Sequence, residues 1–255
     1  MTMAGKGMKT VVVGASSGLG RSIGVGLAHR GAQVALLARR TDRLVDAAKE
    51  AGPGTLAIAC DVTDESSCRA AIAKAAGGLG GIDALVYATG IGPLIRLAEV
   101  DAATWRRTFD TNVTGAALVT AAAVPLLTAS GGVAVYLSSV SASLTPPWPG
   151  LGAYVVSKAA LDKLVEAWRA EHPSVGFTRV IVGDCPGGEG ASRTEFNTGW
   201  DPQLAAEVFP IWTARNLLSG SFLEVEELVR VVDTVLRCGA SAANPSVTVT
   251  PRPRA

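Results

Sequence analysis

Two apolar periods alternate along this chain. Short β-branched or apolar runs at 11–13, 33–38, 55–60, 82–88, 133–138 and 177–182 have the length of single strands. Between them the period lengthens. Leu19, Ile23 and Leu27 recur at helical spacing, 43–51 is amphipathic, and Asp64 is placed to cap a helix running to about residue 76. Longer helical stretches cover 102–127, with a candidate break near Asn112, and 151–171, where Leu161, Leu164, Val165 and Trp168 share a face. A last helix at 225–238 and a short seventh strand at 246–250 complete the pattern. This alternation predicts an α/β fold: a Rossmann-like, doubly wound parallel sheet of about seven strands with helices on both faces. No tandem repeat or low-complexity linker interrupts it, so residues 1–255 read as a single domain. The exception is 187–221, an irregular segment rich in Gly, Asn and Trp after a strand end, which reads as a substrate lid.

Composition narrows the classes. With 255 residues, 48% hydrophobic and 18% charged, the chain has material for a large core and is not a disordered sequence. A net charge of +1 gives no electrostatic footprint for nucleic acid or an anionic membrane, and the two arginines of Pro251-Arg252-Pro253-Arg254 are too few for a nucleic-acid arm. Cys60, Cys68, Cys185 and Cys238 are scattered without C-x-x-C spacing. They read as reduced thiols of a cytoplasmic protein, with neither a disulfide framework nor a metal site. Residues 1–10 hold two lysines but no apolar signal-peptide core. The longest apolar run, 115–127, is shorter than a membrane span and contains Pro125.

Chemistry enters at Gly14-Ala15-Ser16-Ser17-Gly18-Leu19-Gly20, which follows the first strand and opens a helix. Small residues there let backbone N–H groups approach a dinucleotide pyrophosphate, and the helix N-terminus adds about half a positive charge. The spacing is G-x-x-x-G-x-G, and glycines also serve simply to make a tight turn. Gly24 and Gly26, inside the same helix, point to its close packing on the sheet. The second strand ends Ala38-Arg39-Arg40, where an NAD-binding chain commonly carries a carboxylate for the ribose 2′-OH. A guanidinium there can hold a 2′-phosphate instead, so NADP(H) is expected over NAD(H); the alternative is that both arginines are solvated loop charges. Asp61, ending the third strand, can accept from an adenine amino group or begin the next helix.

Tyr154-Val155-Val156-Ser157-Lys158 sets a phenol and an ammonium on one helix face, about 6 Å apart in rise. Free tyrosine is only about 0.1% phenolate at pH 7. The ammonium, together with the positive ring of an oxidised nicotinamide, is expected to lower that pKa, and three units require about 4 kcal/mol. Tyr154 then exchanges a proton with an alcohol or carbonyl oxygen as hydride moves to or from the cofactor. Ser138 and Ser139 end the fifth strand at the sheet edge where ligands bind in such folds, and one hydroxyl can steady the same oxygen.

With these motifs in this order, the chain resembles a short-chain dehydrogenase/reductase of the single-domain type over nearly its whole length. The resemblance implies a catalytic set of Asn112, Ser139, Tyr154 and Lys158, with Ser138 as the fallback serine and Asn112 holding a helix kink and a water linked to Lys158. It further implies that Lys158 holds the nicotinamide ribose. Pro186-Gly187 would face the carboxamide, Asp61-Val62 would form the adenine pocket, and Gly90 is the one residue kept of the family's Asn-Asn-Ala-Gly after the fourth strand. Homodimers or homotetramers through 102–127 and 151–171 are expected on the same ground. The chain departs from the family at Val13, at Tyr87-Ala88-Thr89, at Val182, and in a longer gap from Ser139 to Tyr154 filled by Pro146-Pro147-Trp148-Pro149.

Trp200, Phe209 and Trp212 give the lid an apolar set, which suggests a hydrophobic carbonyl or secondary alcohol as substrate, or else packs the lid on the body. Trp148 reads equally as a pocket wall or a packing plug. His29 and His172 lie away from every motif. A catalytically silent NADP(H) sensor or scaffold on the same fold is the competing class. An epimerase would need a larger C-terminal domain, and a methyltransferase an acidic residue at the second strand's end.

Overall fold

The computed structural model describes residues 7–238 and 241–252; Arg254 and most of the 1–10 segment lie outside them. The strands are β1 Lys9–Val13, β2 Gln33–Ala38, β3 Leu56–Ala59, β4 Ala84–Tyr87, β5 Val133–Ser139, β6 Gly176–Val182 and β7 Ser246–Val249. All pair in parallel, in the order β3-β2-β1-β4-β5-β6-β7. Between them run α1 Gly18–His29, α2 Thr41–Ala51, α3 Glu65–Leu79, α4 Ala102–Phe109, α5 Gly115–Ser130, α6 Val140–Ser143, α7 Gly152–Glu171, α8 Pro202–Ala214 and α9 Val225–Leu236.

Every strand of the sheet's centre is buried on both sides, which is why the runs read as continuously apolar. Alternate residues go to opposite layers. Val11 and Val13 join Leu85, Tyr87, Val119 and Leu161 under α3, α5 and α7. Val12 joins Val86, Ile23, Leu27 and Val229 under α1 and α9. Gly24 lies against Leu36 of the sheet, as its sequence setting suggests. Gly26 instead faces Val229, so its close contact is with the last helix and not with the sheet.

Other expectations need correction. The lid is not wholly irregular: α8 fills its second half, with the Asp201 carboxylate accepting from Leu204 N at 2.8 Å and Pro202 in the first turn. The run 115–127 belongs to a longer helical stretch, Ala102–Ser130, long and apolar enough by length and composition to cross a membrane. Here its residues Ala116, Val119, Ala123 and Leu127 are buried in the sheet's helix layer. Two cysteines are not scattered in space: Cys60 and Cys68 lie close enough for each thiol to shift the other, Cys60 up and Cys68 down, while Cys68 Sγ donates to Asp61 O and Val62 O at 3.6 Å.

Candidate active site

The strand order reverses between β1 and β4, and the crevice at their carboxyl ends is where open α/β sheets bind ligands. The glycine turn lies there. Gly14 takes φ +89°, and a Cβ on it would crowd Thr89 after β4, 2.7 Å from its Oγ1. Gly20 lies so close to the Gly14 carbonyl that a side chain would overlap it. Ser17 precedes α1 without capping it through its side chain, so the first-turn N–H groups face the crevice. Thr89 Oγ1 is buried with no hydrogen-bond partner. Open amides, an orphaned hydroxyl and side-chain-free approach are the features a dinucleotide pyrophosphate requires, so these residues fit such a cofactor.

At the end of β2 the structure gathers Arg40, not Arg39. Arg40 Nη2 donates to Ser17 Oγ at 2.8 Å and to Ser16 Oγ at 3.0 Å. Arg39 is exposed and forms no hydrogen bond or ion pair among the described residues. Arg43, one turn into α2, completes the cationic pair by binding the lid carboxylate Glu195, which Arg40 Nη1 also holds at 2.6 Å. Burial pushes Glu195 up, but the hydrogen bonds and charges of Arg43 and Arg40 outweigh it and leave the carboxyl below its ordinary range. Asp61 Oδ1 accepts from Thr63 N and Oγ1 at 3.0 and 2.8 Å, the turn-forming role of an Asp in that position. Val62 is buried against Gly115. Gly187, at φ +81°, bridges back to Arg193, and Thr194 N donates to Pro186 O at 2.8 Å.

Across the crevice lie the hydroxyl, phenol and amine. Consecutive β5 residues point to opposite faces, and this separates the two serines. Ser138 Oγ is buried near Asp162 with no partner of its own, whereas Ser139 Oγ caps α6 and lies 2.9 Å from Ser141 Oγ. Burial pushes the Tyr154 phenol up to about 12, with the Ser139 hydroxyl pulling it partly back. The expected lowering by the lysine is therefore not seen: Lys158 Nζ lies 5.9 Å from the Tyr154 ring centre, and burial drops its own pKa to about 8. Its ammonium donates to Leu137 O at 2.8 Å. Desolvation acts on both groups against their charged forms, and a contact this long does not overcome it.

The break near Asn112 is a π turn, Asp110–Thr114, joining α4 and α5. It turns the fully buried Asn112 amide toward the site. Oδ1 accepts from Ile91 N at 2.9 Å, while Nδ2 donates to Ile91 O at 2.9 Å and Ser157 Oγ at 2.8 Å. Ser157 Oγ donates onward to Tyr154 O at 2.7 Å. Gly90 lies beside both groups; a Cβ there would be 3.3 Å from Lys158 Nζ and 3.6 Å from Asn112 Oδ1. Tyr87, one of the departures from the family pattern, ties β4 to the π turn through its hydroxyl, 2.6 Å from Thr111 O.

The aromatic residues sort themselves. Trp148 and Trp212 are buried against each other, their indoles bonded to Thr145 Oγ1 and Pro149 O, and so are packing plugs. Trp200 donates to Gly92 O at 2.8 Å. Phe196 packs edge-on to Tyr154 with ring centres 4.8 Å apart, and it escaped the sequence reading because no periodicity marks the lid. Arg43 was findable, three residues after Arg40 on a helix face. Glu195 carried no signal.

The short chain dehydrogenase family model matches residues 9–198. The chain belongs to the short-chain dehydrogenase family. It shares 36% identity over 183 residues with 11-beta-hydroxysteroid dehydrogenase A of Sesamum indicum, 69% of this chain and 52% of that protein, so it spans about half of that relative's length. A 3beta-hydroxysteroid dehydrogenase of Mediterraneibacter gnavus is 30% identical over 220 residues, 82% of this chain and 78% of the relative. Among solved structures, an alcohol dehydrogenase from the archaeon Thermococcus sibiricus, complexed with 5-hydroxy-NADP, superposes with a TM-score of 0.77 at 25% identity, covering 94% of each chain. This short-chain dehydrogenase thus carries its family's nucleotide-binding Rossmann fold over nearly all of the described chain.

Proposed function

We propose that this short-chain dehydrogenase is an NADP(H)-dependent oxidoreductase acting between a carbonyl and a secondary alcohol on an apolar small molecule. The observation that carries the reading is the convergence of Ser139, Tyr154 and Lys158 on the crevice that also holds the uncapped α1 N-terminus and the Arg40–Arg43 pair. Bound NADP(H) supplies or takes up the hydride. Tyr154, held protonated by burial, donates its proton to a carbonyl oxygen seated against it and recovers it from the alcohol in the reverse direction. Ser139, aligned by Ser141, donates a hydrogen bond to that same oxygen. Lys158 anchors to Leu137 O and serves the nicotinamide ribose, while Asn112 fixes Ile91 and Ser157 behind Tyr154. Pro186 and Gly187 support the carboxamide side, and Asp61 and Val62 the adenine side.

Phe196 and Trp200 near Tyr154 favour an apolar substrate, and two of the relatives are named for hydroxysteroids. The four free cysteines agree with a reducing, cytoplasmic setting. Paired titrations with NADPH and NADH test the cofactor reading. Wild type binds NADPH more tightly, and Arg40→Ala weakens NADPH by about tenfold while sparing NADH. Equal affinities for the two nucleotides would remove the phosphate reading. In a carbonyl screen Tyr154→Phe loses at least ~100-fold in kcat; undiminished turnover would remove Tyr154 from the chemistry.

A further inference from the structure

We propose that Glu195 is a built-in competitor for the cofactor's 2′-phosphate, latching the lid over the nucleotide crevice until that phosphate displaces it. The inference rests on the proposed role of Arg40 in holding the 2′-phosphate. It concerns what occupies that place when the nucleotide does not.

Three donors converge on one lid carboxylate. Arg40 Nη1 reaches Oε2 at 2.6 Å, Ser17 Oγ donates to Oε2 at 3.3 Å, and Arg43 Nη1 binds Oε1. Arg40 is itself braced on Ser16 and Ser17 through Nη2, so the glycine turn, α2 and the lid meet at one anion. Two guanidinium groups and a hydroxyl are the donor set that recognises a phosphate monoester. A carboxylate offers one charge and two oxygens. A phosphate monoester offers nearly two charges and three oxygens, so it is the stronger ligand for the same donors. The latch also has a second foothold. Thr194, adjoining Glu195, lies with its Cα 3.3 Å from where a Gly18 Cβ would be, directly over the first turn of α1. With Glu195 on the arginines, the lid backbone is held beside the first turn of α1; with Glu195 displaced, that strap is free to move.

The pairs are partly exposed, with Arg40 and Glu195 side chains at 41% and 38% accessibility, which keeps the latch weak enough to be displaced. A nucleotide without the 2′-phosphate has nothing with which to compete. Glu195 thus offsets part of the attraction between the arginines and the 2′-phosphate, a cost that a nucleotide without that phosphate does not meet.

The test uses fragments that differ only in that phosphate: adenosine 2′,5′-bisphosphate and adenosine 5′-monophosphate. Calorimetric titration of wild type and Glu195→Gln is expected to show the variant binding the bisphosphate about 3- to 10-fold more tightly, with the monophosphate unchanged. Hydrogen exchange of wild type is expected to quicken over residues 190–200 with the bisphosphate but not with the monophosphate. If wild type prefers the bisphosphate yet Glu195→Gln binds it no better, the latch is overturned and the cofactor reading stands. If wild type shows no preference, the cofactor reading fails first and the latch with it.

Discussion

At the scale of single residues, burial outweighs charge pairing in this site. Tyr154 and Lys158 were legible in the sequence because a phenol and an ammonium four residues apart are chemically conspicuous. Their titration was not, because desolvation depends on what packs around them, and that is assembled from β5, α7 and the lid. Arg43, Glu195 and Phe196 were missed for a related reason: each acquires its role from a partner far away in the chain. The Lys158 pKa makes a signed prediction. The folded form loses its proton near pH 8, the unfolded form near 10.5, so between those values the unfolded chain binds more protons. Lys158 therefore makes folding more favourable as pH rises through that window, and penalises it below pH 8. Urea unfolding at pH 7 and pH 10 should show wild type gaining about 2 to 3 kcal/mol relative to Lys158→Met. Identical pH dependences for the two proteins would show that Lys158 is not desolvated as described.

At the scale of elements, strand alternation decides between two neighbouring serines. β5 ends in Ser138 and Ser139, which the sequence alone could not separate; one faces Asp162 and the other Ser141 and Tyr154. Ser139→Ala should cost about 10²- to 10³-fold in kcat, whereas Ser138→Ala should stay within about threefold of wild type. A reversed ranking in steady-state kinetics would assign the role to the buried hydroxyl. The seven strands and most helices were readable because a doubly buried parallel strand is a short unbroken apolar run. α8 was not, although Asp201-Pro202 is a helix-start signal. Pro210 and the irregular residues on either side of α8 hid its period. The break at Asn112 was legible, but its nature, a widened π turn, depends on the amide being claimed by Ile91 and Ser157.

At the scale of the whole molecule, α5 and α7 bury residues in one layer and still present Ala121 and Pro125, Val156 and Ala159 outward. We propose that a second copy covers this face, as the family resemblance implies. Sedimentation equilibrium should return at least twice the monomer mass, and Val156→Glu should lower it; a monomer at all concentrations would exclude the pairing. The layer on the opposite side of the sheet carries a consequence for how the chain comes to be folded. α9, among the last elements in the chain, packs on α1, among the first: Val229 meets Gly26, and Arg30 pairs with Glu226. As the polypeptide leaves the ribosome, the glycine turn, α1 and the β2 and α2 that flank it emerge early, yet the Gly26 side of α1 has no cover until α9 is out. The glycine-turn end is made first and sealed last, so a newly made chain passes most of its synthesis with the Gly26 side of α1 awaiting a partner encoded some 200 residues downstream.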